Sequence, residues 1–365
     1  MTAPQTASPR LVSLDAFRGA TIASMILVNN PGSWSAIYWP LEHAPWHGWT
    51  PTDLIFPFFL FVVGISLTLS RRIEPGAALR RALLLAGLGL FMAAFPFFDL
   101  STLRWPGVLQ RIAACYLLAF FVRRAAGPRG QAATAAGLLL GYWLLLTRVP
   151  APGGGMPSLD PETSLAARVD RLFLTGHMWK QTKTWDPEGL LSTLPAVATT
   201  LLGLLAGEWL RGGRSRDRRA SGLLGGGLAL ALLGLLWHEA FPINKNLWTS
   251  SYVLFTAGLA AYLFGLVYWI VDARGHHGWT RPFVVYGRNA IFVFVASGLV
   301  AKTLALVKLP GVDGRPVAAQ TLVYRSLFAP WASPVNASLA YALANVAAWY
   351  LVLLWMERRG LHLKV

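Results

Sequence analysis

Within YWPLEHAPWHGWTPTDLIFPFFLFVVG, residues 38–64, two histidines, a glutamate and an aspartate stand between tryptophans at the mouth of a long apolar run. Ionisable side chains at a membrane boundary are expensive, and a reaction centre at one face of a bilayer explains them most simply. An imidazole there could act as general base or nucleophile near neutral pH. That role falls to His43 or His47. Asp53, in TPTDLIF, could orient an imidazole and stabilise its charged form, or it could cap the helix that follows. The His43–His47 spacing would also suit a metal, with Glu42 or Asp53 as third ligand. Pro45 between them breaks a regular helix and no cysteine is near, so no metal site is expected.

Other polar groups lie at span ends. Asn29 and Asn30 close the first apolar run on the same outer face, as donors to a developing oxyanion or as partners of nearby backbone. Asp15 and Arg18, three apart, could offset each other, or Arg18 could meet an anionic ligand such as a nucleotide phosphate. Arg111, in LRWPGVLQR, is expected about two turns into a span with no acid beside it in sequence, which makes it a functional candidate. Arg288 and Asn289, in YGRNAIF, make a similar case. WDPEGLLSTLP offers Asp186, Glu188 and Ser192, and FPINKNLWTSSY offers Asn244, Lys245 and Asn246. Either a Glu–Lys pair ties these two segments together or their acids and amides recognise a sugar. GGG at 153–155 and 225–227 lacks the context of a phosphate loop, and no G-x-S-x-G nucleophile motif occurs.

The elements that position these groups are membrane helices. Of 365 residues, 55% are hydrophobic and 13% charged, against roughly 25% charged in soluble domains. The 16 tryptophans, many near run ends, suit an interfacial belt. The pattern predicts an all-α polytopic membrane protein of about ten spans, near 14–31, 52–70, 79–97, 105–122, 131–147, 190–210, 221–238, 249–271, 282–304 and 335–356. The first is expected to be a retained span rather than a cleaved signal. Residues 1–365 form a single membrane domain, with 148–189 an outer loop over the site. The 305–334 stretch is too broken by Pro and Gly to span, and an interfacial or re-entrant segment is expected there.

The net charge of +16 gathers in alternate loops. Arg71, Arg72, Arg80 and Arg81 fall in one, and Arg123, Arg124 and Arg129 in the next. Arg211 to Arg219, Arg274 with Arg281, and Arg358, Arg359 and Lys364 complete the set. Both termini are therefore expected in the cytoplasm. The arginines form no single stripe of the kind that binds nucleic acid. The lone Cys115 excludes an internal disulfide.

RLVSLDAFRGATIASMILVNNPGSW, WPLEHAPWHGWTPTDLIFPFFLFVVG, LRWPGVLQRIAACY, WDPEGLLSTLPAVATTLLG and FPINKNLWTSSYVLFTAGLA, in this order, resemble the bacterial relatives of the heparan-α-glucosaminide N-acetyltransferase family. The resemblance implies a multi-pass acyltransferase of the bacterial inner membrane. It would take acetyl-CoA from the cytoplasm and pass acetyl to the amine of a glucosamine-type sugar outside. It places His43, within EHAPW, as the active histidine, with Asn29 and Asp53 beside it and Arg111 in the family's PGVLQR motif. Arg18, Arg288 and Asn289 join Arg111 on the acetyl-CoA side, and Glu188, Lys245, Asn246 and Asn30 on the acceptor side. Lysosomal members carry an additional luminal domain and a preceding span, whereas this sequence begins directly at LVSLDAFRG; polymeric heparan sulfate is therefore not the expected acceptor, and free glucosamine, a deacetylated chitin fragment and a cell-wall sugar stay open. A homodimer is a reasonable assembly. The alternatives from other classes are an amino-sugar permease and a non-catalytic membrane scaffold.

Overall fold

The computed structural model describes residues 11–70, 73–153, 155–311 and 315–361. Arg71, Arg72 and Lys364 of the charge pattern lie outside them. Thirteen α-helices are described: α1 (Val12–Asn29), α2 (Ile55–Leu69), α3 (Pro75–Ala94), α4 (Val108–Ala125), α5 (Pro128–Arg148), α6 (Leu165–Leu174), α7 (Thr193–Arg211), α8 (Arg216–His238), α9 (Ser250–Tyr268), α10 (Arg281–Arg288), α11 (Ala290–Leu306), α12 (Ala319–Leu327) and α13 (Pro334–Arg358). A short 3₁₀ turn, Pro51–Leu54, leads into α2, and a π turn extends α9 to Ala273.

Among the described residues, seven helices are long and apolar enough to cross a membrane, and a bent pair makes an eighth if its two halves form one span. Each of the ten expected spans falls on a helix or on that pair. α1 and α4 stand outside the apolar set because Asp15, Arg18, Arg111, Arg123 and Arg124 lie within them. The ninth, expected as one span, is broken instead: α10 and α11 meet at 69°. Asn289 leaves helical geometry there, with φ −120° and ψ 32°. The broken 305–334 stretch forms a small antiparallel pair, β1 (Lys308–Pro310) with β2 (Pro316–Ala318), and then α12.

Burial sorts the helices into a centre and a rim. The apolar stretches of α2, α7 and α9 are 61–72% buried, those of α3, α5, α8 and α13 only 22–28%. Lipid is as apolar as leucine, so close packing must hold the centre together, and small residues permit it. A Cβ on Gly64 of α2 would lie 2.0 Å from the Thr200 carbonyl of α7, and one on Gly203 of α7 would lie 2.0 Å from the Phe61 carbonyl of α2. The same device joins α1 to α10, where a Cβ on Gly287 would reach the Asp15 carbonyl at 2.0 Å. That contact sets Arg18 and Arg288 on neighbouring helices at one mouth.

The loops sort by charge. Arg123 and Arg211, from two different loops, both donate to the last carbonyls of α2, where a cation meets the negative helix end. Arg216 donates to the Asp272 carbonyl at 2.8 Å, and the Asp272 carboxylate accepts from Val12 and Ser13 at the start of α1. These arginine-rich ends therefore share one end of the bundle. At the other end the sparse loops meet: Gly48 N–H donates to the Ile243 carbonyl at 2.8 Å and Trp46 Nε1 to the Leu159 carbonyl at 2.9 Å.

Gly203→Leu should destabilise the fold by at least about 2 kcal/mol through overpacking, seen as a lower Tm in detergent. Gly87→Ala, where a Cβ would meet open space, should leave Tm unchanged.

Candidate active site

Thr50-Pro-Thr-Asp53 forms a reciprocal capping box at the start of the turn into α2. Pro51 sits at its first position, where no N–H is needed. Asp53 is 1% exposed, and its two carboxylate oxygens divide the work. Oδ2 accepts from the backbone N–H of Ala44 (3.1 Å) and Thr50 (2.9 Å) and from the Thr50 hydroxyl (3.2 Å). Oδ1 faces His43 Nδ1 at 2.6 Å. A carboxylate only accepts, so Nδ1 carries the proton and Nε2 of the neutral ring offers a lone pair. Cap and imidazole partner, two alternatives in the sequence, are one carboxylate. Tyr252 of α9 donates to the Asp53 carbonyl at 2.5 Å from a buried position, tying the turn to the central helices.

Lys245 enters from the α8–α9 loop. Asn244 shapes that loop: its side chain accepts from Leu247 N–H at 2.8 Å, and Trp248 takes a positive φ of 53°. Lys245 Nζ lies 3.1 and 3.2 Å from the two ring nitrogens of His43 and 3.8 Å from Asp53 Oδ1. Burial lowers its pKa below the ordinary lysine value, against the raising influence of Asp53 and then Glu188. The Glu188–Lys245 pair, one of the two alternatives in the sequence, is not among the ion pairs of the described residues. Glu188 is taken by Arg104, whose Nη2 lies 2.5 Å from Glu188 Oε2 and whose Nε and Nη2 grip Asp186 at 2.8 and 2.5 Å. A planar guanidinium satisfies two acids at once, which an ammonium cannot do in that geometry.

Arg111 lies in the first turn of α4, not two turns in. It is 2% exposed. Nη2 donates to the Gly189 carbonyl (3.0 Å) and Ser192 Oγ (2.5 Å), and the guanidinium sits 5.1 Å from the centre of the Trp248 ring. Its Nε and Nη1 have no hydrogen-bond partner among the described residues. Arg111 is thus at the same end of the bundle as His43, apart from Arg18 and Arg288. Those two, with Arg81, Tyr116 and Ser66, line a cavity of about 300 Å³ near the arginine-rich end. Arg18 bonds Asp15 (3.2 Å) and Ser66 (2.7 Å), and Arg288 bonds Glu357 (2.5 Å). Asn289 is buried at the α10–α11 bend. A smaller apolar cavity shares Phe59, Leu109, Ile112, Ala290 and Ile291 with the larger one and adds Phe294 and Val108.

The remaining candidates separate. Asn29 is exposed at the last position of α1, and no contact among the described residues joins it to His43. Asn30 donates to the Ile26 carbonyl at 2.8 Å, closing its own helix. His47 turns to Asn244, 3.4 Å away, and burial lowers its pKa. Asn246 is half-buried in the Lys245 turn. No group of His, Cys, Asp and Glu able to hold a metal occurs among the described residues. Arg104, Tyr252, Thr50 and Arg81 were not singled out in the sequence. Of these only Thr50 carried a readable signal, the T-x-x-D capping pattern.

Arg104→Ala should cost about 3 kcal/mol, because it strands Asp186 and Glu188 without their cation. Arg104→Lys should recover only part of that loss. Thermal unfolding in detergent reads both.

The family model described as heparan-alpha-glucosaminide N-acetyltransferase, catalytic, matches residues 10–236. Human heparan-alpha-glucosaminide N-acetyltransferase is 30% identical over a 353-residue alignment covering 79% of this chain and 52% of that protein. The mouse protein is 30% identical over 358 residues, covering 80% of this chain and 54% of its own. The chain spans about half the length of these curated relatives. A histidine oriented by a buried carboxylate at one face of a helical bundle, in a chain matched from residue 10 to residue 236, places this protein in the heparan-alpha-glucosaminide N-acetyltransferase catalytic family.

Proposed function

We propose that the protein is a transmembrane N-acetyltransferase of the bacterial inner membrane. It moves acetyl from cytoplasmic acetyl-CoA to the amine of a glucosamine-type sugar on the outer face. The observation that carries this reading is the 2.6 Å contact between His43 Nδ1 and Asp53 Oδ1. It fixes the tautomer that leaves Nε2 free as a base, on a ring 52% exposed and open to an acceptor.

The arginine-rich end is cytoplasmic by the charge rule. CoA phosphates meet Arg18, Arg81 and Arg288 at the mouth, where Asn289 adds a polar group. The pantetheine arm runs from that mouth up between the helices, and the packed apolar contact of α4 with α11, where the free volume is only about 10 Å³, must part to admit it. Arg111, with Nε and Nη1 unused, receives a carbonyl at the outer end. There the amine nitrogen attacks the thioester carbon, the N–C bond forms and the C–S bond breaks. His43 Nε2 takes the amine proton and returns it to the CoA thiolate. In the two-step variant, Nε2 itself is acetylated before the amine arrives. Asp53 stabilises the imidazolium in the first route. The 148–189 loop, held by Arg104 and Trp46, covers the acceptor side. Glu188 and the amides of Asn246 and Asn30 lie on that side. The protein works in a lipid bilayer.

Purified protein given acetyl-CoA and glucosamine should form N-acetylglucosamine. His43→Ala should abolish product, and full activity in that variant would remove His43 from the chemistry. Asp53→Asn should lower kcat roughly 100-fold or more. Arg18→Ala and Arg288→Ala should raise KM for acetyl-CoA roughly tenfold with a smaller effect on kcat. Rapid mixing with labelled acetyl-CoA and no acceptor separates the two routes: label on the protein, lost in His43→Ala, marks the two-step path. Uptake of amino sugar into proteoliposomes without CoA would instead mark a permease.

A further inference from the structure

Lys245 stands closer to the reacting imidazole than any acceptor-recognition role requires. Its Nζ is nearly equidistant from His43 Nδ1 (3.1 Å) and Nε2 (3.2 Å). In the ring plane, a point that far from both nitrogens would collide with Cε1 on one side or with Cγ and Cδ2 on the other. The ammonium therefore sits over the ring face. From there it donates into neither in-plane lone pair. The in-plane direction at Nδ1 is filled by Asp53 Oδ1 at 2.6 Å, and that at Nε2 stays open. Asp53 Oδ1 is 3.8 Å from Nζ, beyond hydrogen-bond range, so the imidazole and not the lysine holds that oxygen.

We propose that Lys245 is a positioning residue that holds His43 in its uncharged, proton-accepting form while leaving Nε2 free for the acceptor amine. A positive charge against the ring face opposes a second positive charge on the ring, at a separation where Coulomb repulsion is strong even at an effective dielectric near that of a protein surface; burial works against the lysine's own charge and Asp53, 3.8 Å away, supports it. The same charge disfavours the ammonium form of an incoming amino sugar and favours the neutral amine, which is the nucleophile. Repulsion is relieved only when the proton leaves for the CoA thiolate, so the lysine also promotes turnover. The charged groups around the ring are consistent with this role. Asp53 faces it from the turn before α2, Lys245 from the α8–α9 loop, and Glu42 adjoins it in the chain. Glu188 and Arg111 act on Lys245 from the α6–α7 loop and α4 with opposite signs. His47 is influenced instead by Asp160 and His238.

This inference rests on the acyl-transfer reading, and its test is chosen to stand apart from it. Protein carrying ¹³C-labelled histidine would be titrated in detergent by NMR, with the His43 signal assigned by its loss in His43→Gln. In Lys245→Met the His43 ring should titrate about one pH unit or more higher than in the natural protein. Lys245→Arg, which keeps the charge, should stay near the natural midpoint. A midpoint in Lys245→Met unchanged within about 0.2 unit, in folded protein, overturns the proposal. In the activity assay, Lys245→Met should lose kcat on the acid side of its pH profile, with KM for acetyl-CoA little changed, and should regain most of it on the alkaline side. Equal loss at every pH would show a merely structural lysine and also overturns it. Absence of N-acetylglucosamine from the natural protein would sink the acyl-transfer reading alone, and the titration would still decide the lysine's effect on the ring.

Discussion

The Asp53 carboxylate is the constraint on which the His43 end of the bundle depends. One oxygen collects the Ala44 and Thr50 amides and the Thr50 hydroxyl. The other holds the His43 ring. A buried carboxylate is tolerable only when several donors share its charge, and each donor here belongs to the segment that must be shaped. The same group thus starts α2, folds the loop before it and fixes which ring nitrogen is free. Because α2 is the most buried span, locked to α7 through Gly64 and Gly203, the imidazole is referenced to the most rigid part of the bundle.

A second constraint is that membrane helices with charges inside must satisfy them internally. α1 and α4 carry those charges, and their partners come from distant sequence: Ser66 for Arg18, Gly189 and Ser192 for Arg111, the end of α2 for Arg123. These two helices line the larger cavity together with α2, α3, α10 and α11. The apolar α3, α5, α8 and α13 form a lipid-facing rim.

Much of this was legible from local chemistry. The apolar runs located the spans, and alternating charge separated two sets of loops that the fold gathers at opposite ends. The His43–Asp53 pair lies ten residues apart in one segment, close enough to read together. Pairings across the chain were not legible. Glu188 seemed available to Lys245, but Arg104, in a motif read only for Arg111, claims it because a bidentate guanidinium matches two acids. Arg111 was set too deep because its helix starts at Val108, later than hydropathy suggests. The break at Asn289 is hidden inside continuous apolar sequence, since only packing of α10 on α1 reveals it. Asn29 looked like a partner of His43 by likeness of sequence, whereas the fold leaves it exposed at a helix end.

The central claim is that one chain joins a donor on one side of the membrane to an acceptor on the other through His43. Sidedness tests it most directly. Proteoliposomes would be prepared with the arginine-rich end facing the lumen, acetyl-CoA sealed inside and glucosamine added only outside. The account predicts N-acetylglucosamine in the outer medium and free CoA retained in the lumen, with neither formed by His43→Ala vesicles. Product only when acetyl-CoA and glucosamine share one side would contradict it.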